Sequence, residues 1–394
     1  MKSDRIYLDW AAATPLSKNA LVAMMPYLSG KWGNPSAIHA EGQVTRNAVE
    51  EARQTIATAV QVRPEFVTFT SGGTEGNNLA IFGVIESLAQ SGRAYESMAV
   101  ITTKIEHPSV GETCTALKRR GVQVRYVQVT ETGKVDLEHL RTVLDKSVVL
   151  FSTALINSEI GTIQPAHAIR KILKTAEKQF DTEVFFHLDA AQAPLWTNCQ
   201  FDSLSADFVI LDAAKCCGPK GVGTMIRSRR TNIVPVVHGG GQESGLRPGT
   251  ENVAGIVGAA IAIKEAQGDY QTRAESATAI RDQAIEHIQS KLPQAVINGA
   301  RGGDRVANNI NISIPGLDTE FAAVVLDKHG FAVSTKSACS GAGGGASTVV
   351  LETTADPSRA ASTLRITLGP DTTLDQIKAL TVILKQHIEQ MSQY

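Results

Sequence analysis

Two side chains define the chemistry this chain can carry. Lys215 lies in LDAAKCCGPKGVG, directly after the apolar run Phe208-Val209-Ile210-Leu211. Asp189 lies in HLDAAQ, after the run Val184-Phe185-Phe186. Each leaves a stretch that reads as a buried strand. A primary amine forms an imine with an aldehyde, and a carboxylate keeps a pyridine nitrogen protonated so that the ring can accept electrons. An aldehyde cofactor with a pyridine ring needs both groups, although strands often end in Asp or Lys for other reasons.

Other polar groups stand at similar positions. SGGTEGNN joins the β-branched run FVTFT to the helical LAIFGVIESLA. Gly72 and Gly73 allow close backbone approach, and Thr74 adds a hydroxyl at a helix start, which suits a phosphate. A capped strand-to-helix turn is the plainer reading of the same residues. His107, between a strand and Pro108, suits ring stacking or proton transfer, or a structural role. Asn157 in INSEIGT and Gln192, three residues past Asp189, can donate to a ring oxygen, although both types also cap turns. The polar, glycine-rich segment from His238 to Thr250 is of the kind used for function or an interface. Its Arg247 and Thr250 can serve an anion. Arg365 in LRITLG can clamp a carboxylate or make a structural ion pair. Cys339 in STKSACSGAGGG reads as an exposed thiol before the flexible stretch SGAGGGAS, and Lys336 beside it favours the thiolate.

These residues need a scaffold. A chain of 394 residues is expected to form two domains. From Glu65 onward, apolar strand candidates alternate with helical stretches such as AIRKILKTAEKQF. That pattern predicts an α/β domain with a mostly parallel sheet covered on both faces, and ligands bind at the carboxyl ends of such strands. Before it, Gln43 to Val60 has helical periodicity with Val44, Ala48, Ala52, Ile56 and Ala59 on one side. A long helix from GVGAAIAIKEA onward, strands in NNINISI, FAVST and STLRITLG, and a closing amphipathic helix predict a smaller α+β domain. The expected division is 15–262 for the large domain, with 1–14 and 263–394 in the small one.

A formal net charge of −1 provides no global field for nucleic acid or an anionic membrane. No apolar run approaches the roughly 20 residues of a membrane span, and MKSDRIYLDW has no signal-peptide core. The five cysteines, Cys114, Cys199, Cys216, Cys217 and Cys339, are odd in number and irregularly spaced. Free thiols in a reducing, cytoplasmic compartment are expected, and no metal site.

Taken in order, LDWAAATPL, GNPSAIH, TSGGTEGNNLAI, EHPSV, INSEIGTIQ, HLDAAQ, KCCGPKGVG, GGGQESGLRPGTENVAGIVG, NNINISIPG and STKSACS resemble the cysteine desulfurases of the class V aminotransferase group. The resemblance spans nearly the whole chain and implies the aspartate-aminotransferase-like fold type I of pyridoxal 5′-phosphate enzymes. It implies that Lys215 binds the cofactor and moves the Cα proton, that Asp189 faces the pyridine nitrogen and that His107 stacks on the ring. Asn157 and Gln192 would contact ring substituents, Gly73 and Thr74 the phosphate, and Thr250 the phosphate of the other subunit in a homodimer. Arg365 and Asn34 would hold the carboxylate of L-cysteine, and Cys339 would take its sulfur as a persulfide for an acceptor protein in iron–sulfur cluster assembly or tRNA thiolation. The chain departs from the family where Asp212 and Ala214 replace the usual serine and histidine before the lysine, placing a carboxylate beside the phosphate. Ser244 replaces a common arginine, and Lys336 a common glycine. An aminotransferase or selenocysteine lyase of the same superfamily is the rival enzyme, and a non-catalytic sulfur-relay scaffold the rival of another class.

Overall fold

The computed structural model of the protein describes residues 5–335 and 345–391. Lys336 and Cys339 lie outside the described residues. The strands, in chain order, are β1 (Ile6–Tyr7), β2 (Val67–Thr70), β3 (Ala99–Thr102), β4 (Gln123–Tyr126), β5 (Val148–Ala154) and β6 (Phe185–Asp189). They continue with β7 (Phe208–Asp212), β8 (Gly223–Arg227), β9 (Val296–Ile297), β10 (Asn309–Ser313), β11 (Phe331–Ala332) and β12 (Thr363–Thr367).

Strands β2 to β8 form one sheet in the order β2-β8-β7-β6-β5-β3-β4. From β7 to β4 all pairings are parallel, and β8 runs against both its neighbours. The interior strands VVLFSTA, FFHLD and FVILD are buried almost end to end. Their near-continuous apolar runs are what helices on both faces of a parallel sheet require. The mostly parallel sheet is therefore as expected. Strand β8 is an addition: GTMIR follows a Gly/Pro-rich turn and is too short to stand out from it.

The helix Gly73–Gln90 crosses one face of this sheet and buries Leu79, Ile81, Val84 and Ile85. It lies very close at Gly76, where a Cβ would stand 2.8 Å from Ile210 Cγ2. The helix Ala40–Val60 buries Ala48, Ala52 and Ile56 as its periodicity predicts, but Val44 is exposed. Thr45, Val49 and Val60 complete the buried stripe instead, because an advance of 3.6 residues per turn carries it one position on.

A second core lies among the antiparallel sheet β9-β10-β12 and the helices Tyr270–Lys291, Thr319–Lys328 and Leu374–Met391. Strand β1 pairs in parallel with β11, its Ile6 packs against this core, and Leu8 just after it is buried in the core. The single long helix expected after the glycine-rich segment is two, Val253–Gly268 and Tyr270–Lys291, parted at Asp269 (φ −139°, ψ 18°). Residue 262 falls inside the first of them. The second reaches from the large core at Ala277 to the small core at Ala284, Ile285 and Ile288. We propose that the two domains meet along this helix.

Two helical glycines should respond oppositely to alanine. Gly111, in the helix Pro108–Arg119, has open space where a Cβ would go. Gly111→Ala should raise stability by about 0.5–1 kcal/mol through helix propensity. Gly76→Ala gains the same propensity but forces a methyl against Ile210, and overpacking costs about 1–3 kcal/mol. Thermal melts should show a lower Tm for Gly76→Ala and a higher one for Gly111→Ala. Equal shifts would show that the helix lifts freely off the sheet.

Candidate active site

The carboxyl ends of β2, β3, β5, β6 and β7 all face one cavity of about 190 Å³. The winding of the sheet reverses between β3 and β5, and the crevice at such a reversal is where open α/β sheets bind ligands. Gly73, Thr74, His107, Asn157, Asp189, Gln192, Asp212, Lys215 and Arg365 all line it. Asn34 and Thr250 do not; both are exposed.

Lys215 ends a single 3-10 turn, Ala213–Lys215, that leaves β7. The turn is pinned to the N-terminal segment: Thr14 N–H donates to Ala214 O at 2.9 Å and Cys217 N–H donates to Thr14 Oγ1 at 2.7 Å. Lys215 Nζ donates to the carbonyl oxygens of Ala11 (3.2 Å) and Ala12. Gln192 Nε2 donates to the same Ala11 oxygen at 2.9 Å. The amine is thus parked on two carbonyls at the cavity wall.

Asp189 ends β6 and is buried. Its Oδ1 accepts from Ala191 N–H at 3.0 Å and its Oδ2 from Asn77 Nδ2 at 2.8 Å. Asn77 Nδ2 donates again, to Ser109 Oγ at 2.8 Å, and Ser109 Oγ lies 2.7 Å from His107 Nδ1. That ring nitrogen also accepts the Ser109 N–H at 3.1 Å, in an N-cap of the helix Pro108–Arg119. Nδ1 is therefore an acceptor, the Ser109 hydroxyl donates to it, and the proton of neutral His107 sits on Nε2. Burial lowers the pKa of His107, and Lys215 adds to this while the Asp189 carboxylate opposes it.

Asn157 works mainly as a tie. Its Oδ1 accepts from Glu159 and Ile160 N–H at 3.0 Å each, and its Nδ2 donates to Ile105 O at 2.9 Å. One amide hydrogen remains for a ligand. Arg365, on β12, pairs with Asp9 at 2.7 Å and donates to Ser158 O at 3.0 Å. Its Nε is buried without a partner. The ion pair with Asp9 is thus present, and one polar atom of the guanidinium is left unpaired. Arg247 is paired with an acid: its Nε donates to Glu75 at 3.0 Å, and Glu75 also accepts from Ser71 N–H at 2.7 Å.

At the other end of the cavity Gly73 opens the helix Gly73–Gln90. Its N–H donates to Asp212 Oδ2 at 3.2 Å, while Asp212 Oδ1 accepts from Ala214 N–H at 2.9 Å. The residues fit a pyridoxal-type cofactor: an amine, a buried carboxylate, an imidazole and a glycine-floored helix start surround one cavity, and the buried Asn77 Oδ1 and Arg365 Nε have no partners. Asn77, Ser109, Asp9 and the Ala11 and Ala12 carbonyls were not anticipated as site residues. Asn77 and Ser109 lie inside the segments SGGTEGNN and EHPSV, but their meeting is not a local property of either.

Glu106 is another carboxyl at this end of the sheet, part of a half-buried residue. It accepts from Thr103 Oγ1 (2.6 Å), Thr153 Oγ1 (3.0 Å) and Ala154 N–H (2.6 Å). Burial pushes its pKa up to about 7 against those hydrogen bonds, with Asp189 adding to the rise. A carboxyl with a raised folded pKa binds more protons folded than unfolded. Its contribution to stability is therefore complete below the usual glutamate range and is lost as pH rises toward about 7. Glu106→Gln should flatten the fall of Tm over that interval, measured by calorimetry at several pH values. An unchanged slope would show that Glu106 does not titrate there.

The family model for class-V aminotransferases matches residues 6–380. The cysteine desulfurase IscS of Dictyoglomus turgidum is 39% identical over 386 residues, 98% of this chain and 95% of that protein. Among solved structures, a NifS-like protein superposes with a TM-score of 0.89 at 31% identity, covering 98% of this chain and 99% of that one. A structure described as SspA in complex with cysteine superposes with a TM-score of 0.77 at 30% identity, covering 92% of this chain and 99% of that one. The chain belongs to the class-V aminotransferase family, in its cysteine desulfurase branch.

Proposed function

We propose that this protein is a pyridoxal-phosphate-dependent cysteine desulfurase that converts L-cysteine to L-alanine and carries the sulfur away on Cys339. The observation that carries the reading is the convergence of Lys215, Asp189, His107 and Arg365 on one cavity in a member of the desulfurase branch. The related SspA structure holds cysteine.

Bound pyridoxal phosphate supplies an electron sink for the charge left at Cα when its proton departs. The chain's own residues do the rest. Lys215 would hold the cofactor, and its amine in the neutral form would move the Cα proton. Its hydrogen bonds to Ala11 O and Ala12 O hold the amine at the cavity wall. Asp189, fixed by Asn77 and Ala191, presents a carboxylate to the ring nitrogen. His107 presents a neutral ring with its Nε2–H available. Arg365 lines the cavity on the side where the substrate carboxylate would bind, while Asp9 and Ser158 hold the guanidinium in place. Asn157 and Gln192 border the ring substituents, and Gly73, Thr74 and Asp212 the phosphate end.

The Cys339 thiolate attacks the substrate sulfur. The S–S bond forms as the Cβ–S bond breaks, the bonding pair stays with carbon, and protonation there completes L-alanine. Chemistry among the described cysteines favours this assignment. Cys114, Cys199 and Cys216 are buried, and desolvation raises the pKa of each, as it does for Cys217. None is poised as a thiolate.

The persulfide is passed to a sulfur-acceptor protein, for iron–sulfur cluster assembly or tRNA thiolation. The enzyme works as a homodimer in the cytoplasm. Two features support the dimer. Leu21, Val22, Met25, Leu28, Trp32 and Ile38 form an exposed apolar run near the exposed turn that holds Asn34. Thr250 stands outside its own subunit's cavity, as a residue serving the partner's phosphate would.

Cys339→Ser should abolish sulfide and alanine formation from cysteine under reducing conditions. The yellow colour and a borohydride-fixed label on Lys215 should persist. Normal turnover by that variant would exclude the persulfide role, and a colourless wild-type protein that takes no label would exclude the cofactor.

A further inference from the structure

The phosphate end of the cavity carries a negative charge of the protein's own. Asp212 Oδ2 accepts the N–H of Gly73, the first residue of the helix Gly73–Gln90, and the helix cap at Gly72 has no side-chain capping bond. Free N–H groups and the positive end of the helix dipole normally favour an anion at such a start. Here a carboxylate already takes one of those donors. It lies so close that a Cβ on Gly73 would stand 3.3 Å from Oδ2.

Compensating charge is scarce among the described residues. The cations among the described residues of the lining are Lys215 and Arg365. Lys215 is held by Ala11 and Ala12 carbonyls, and Arg365 by Asp9. The titratable groups that feel Asp212 are His107 and Cys216, from the ends of β3 and β7, and Asp189 borders the same cavity. On the helix itself Glu75 is occupied by Arg247 and Ser71. A phosphate dianion placed against Gly73 and Thr74 would meet the Asp212 carboxylate with no dedicated cation between them among the described residues.

We propose that Asp212 and the cofactor phosphate share one proton in the bound state, so that cofactor retention is coupled to pH. This rests on the cofactor assignment above. A free phosphate monoester becomes a dianion above a second pKa of about 6. Above that pH the complex must take up a proton to form, and its dissociation constant rises about tenfold per pH unit. The preference for a phosphorylated over an unphosphorylated pyridoxyl ligand narrows by the same factor.

Pyridoxine 5′-phosphate and pyridoxine are suitable probes, because neither has an aldehyde to react with Lys215. Their affinities for the cofactor-free protein would be measured calorimetrically between about pH 6.5 and 8.5. The ratio of the two constants cancels ionisation of the ring. In wild type that ratio should fall about tenfold per pH unit, and the ³¹P resonance of the bound ester at pH 7.5 should lie away from the dianion position. Asp212→Asn and Asp212→Ser should flatten the ratio, tighten the phosphate ester about tenfold or more near pH 8, and move the resonance to the dianion position. A flat ratio in wild type, or a dianion resonance there, overturns the shared proton while leaving the cofactor assignment intact. Failure of both probes to bind wild type and both folded variants overturns the cofactor assignment and this inference with it.

Discussion

The active site depends on one buried amide. Asn77 gives both its hydrogens away, one to Asp189 and one to Ser109, so a single side chain orients the buried carboxylate of Asp189 and the hydroxyl that fixes the tautomer of His107. The orientation of the amide is not arbitrary. Turned over, its oxygen would face a buried carboxylate. The arrangement requires the helix Gly73–Gln90 to lie close to the sheet, which the missing side chain of Gly76 permits. Electrostatics at the cavity floor are therefore set by how near one helix comes to one strand.

The N-terminal segment is the second organising element. Within a few residues it contacts both cores and the reactive amine. Asp9 pairs with Arg365 of the small sheet, Ala11 N–H donates to Thr367 Oγ1 at 3.0 Å, Ala11 and Ala12 accept from Lys215, and Thr14 binds the turn that carries that lysine. A shift of the small core would be felt at once by the lysine and by the arginine proposed to hold the substrate. Arg365 and Lys215 are thus mechanically linked through a strap of six residues, 9–14.

Much of this was legible in the sequence. Strands in a parallel sheet are buried on both faces, so they read as unbroken apolar runs, and the polar residue that ends each run stands out. Asp189, Lys215, His107 and Asn157 were marked in this way, and all four line the cavity. Strand β8 was not legible, because five residues after a Gly/Pro-rich turn leave no period to measure. The break at Asp269 was also hidden, since helical composition continues on both sides of it.

The amino-acid sequence by itself determined which functional groups the protein owns and that most of them sit at strand ends, because strand burial and turn chemistry are local. Only the tertiary structure decided which ends meet. Asn77 reaches Asp189 across 112 positions, and Gly73 reaches Asp212 across 139. Those meetings follow from the order of strands in the sheet and the path of one helix over it. So do the Nε2 proton of His107, the resting place of the lysine amine and the carboxylate at the phosphate end. Each depends on a partner distant in the chain, and no local pattern encodes such a partner.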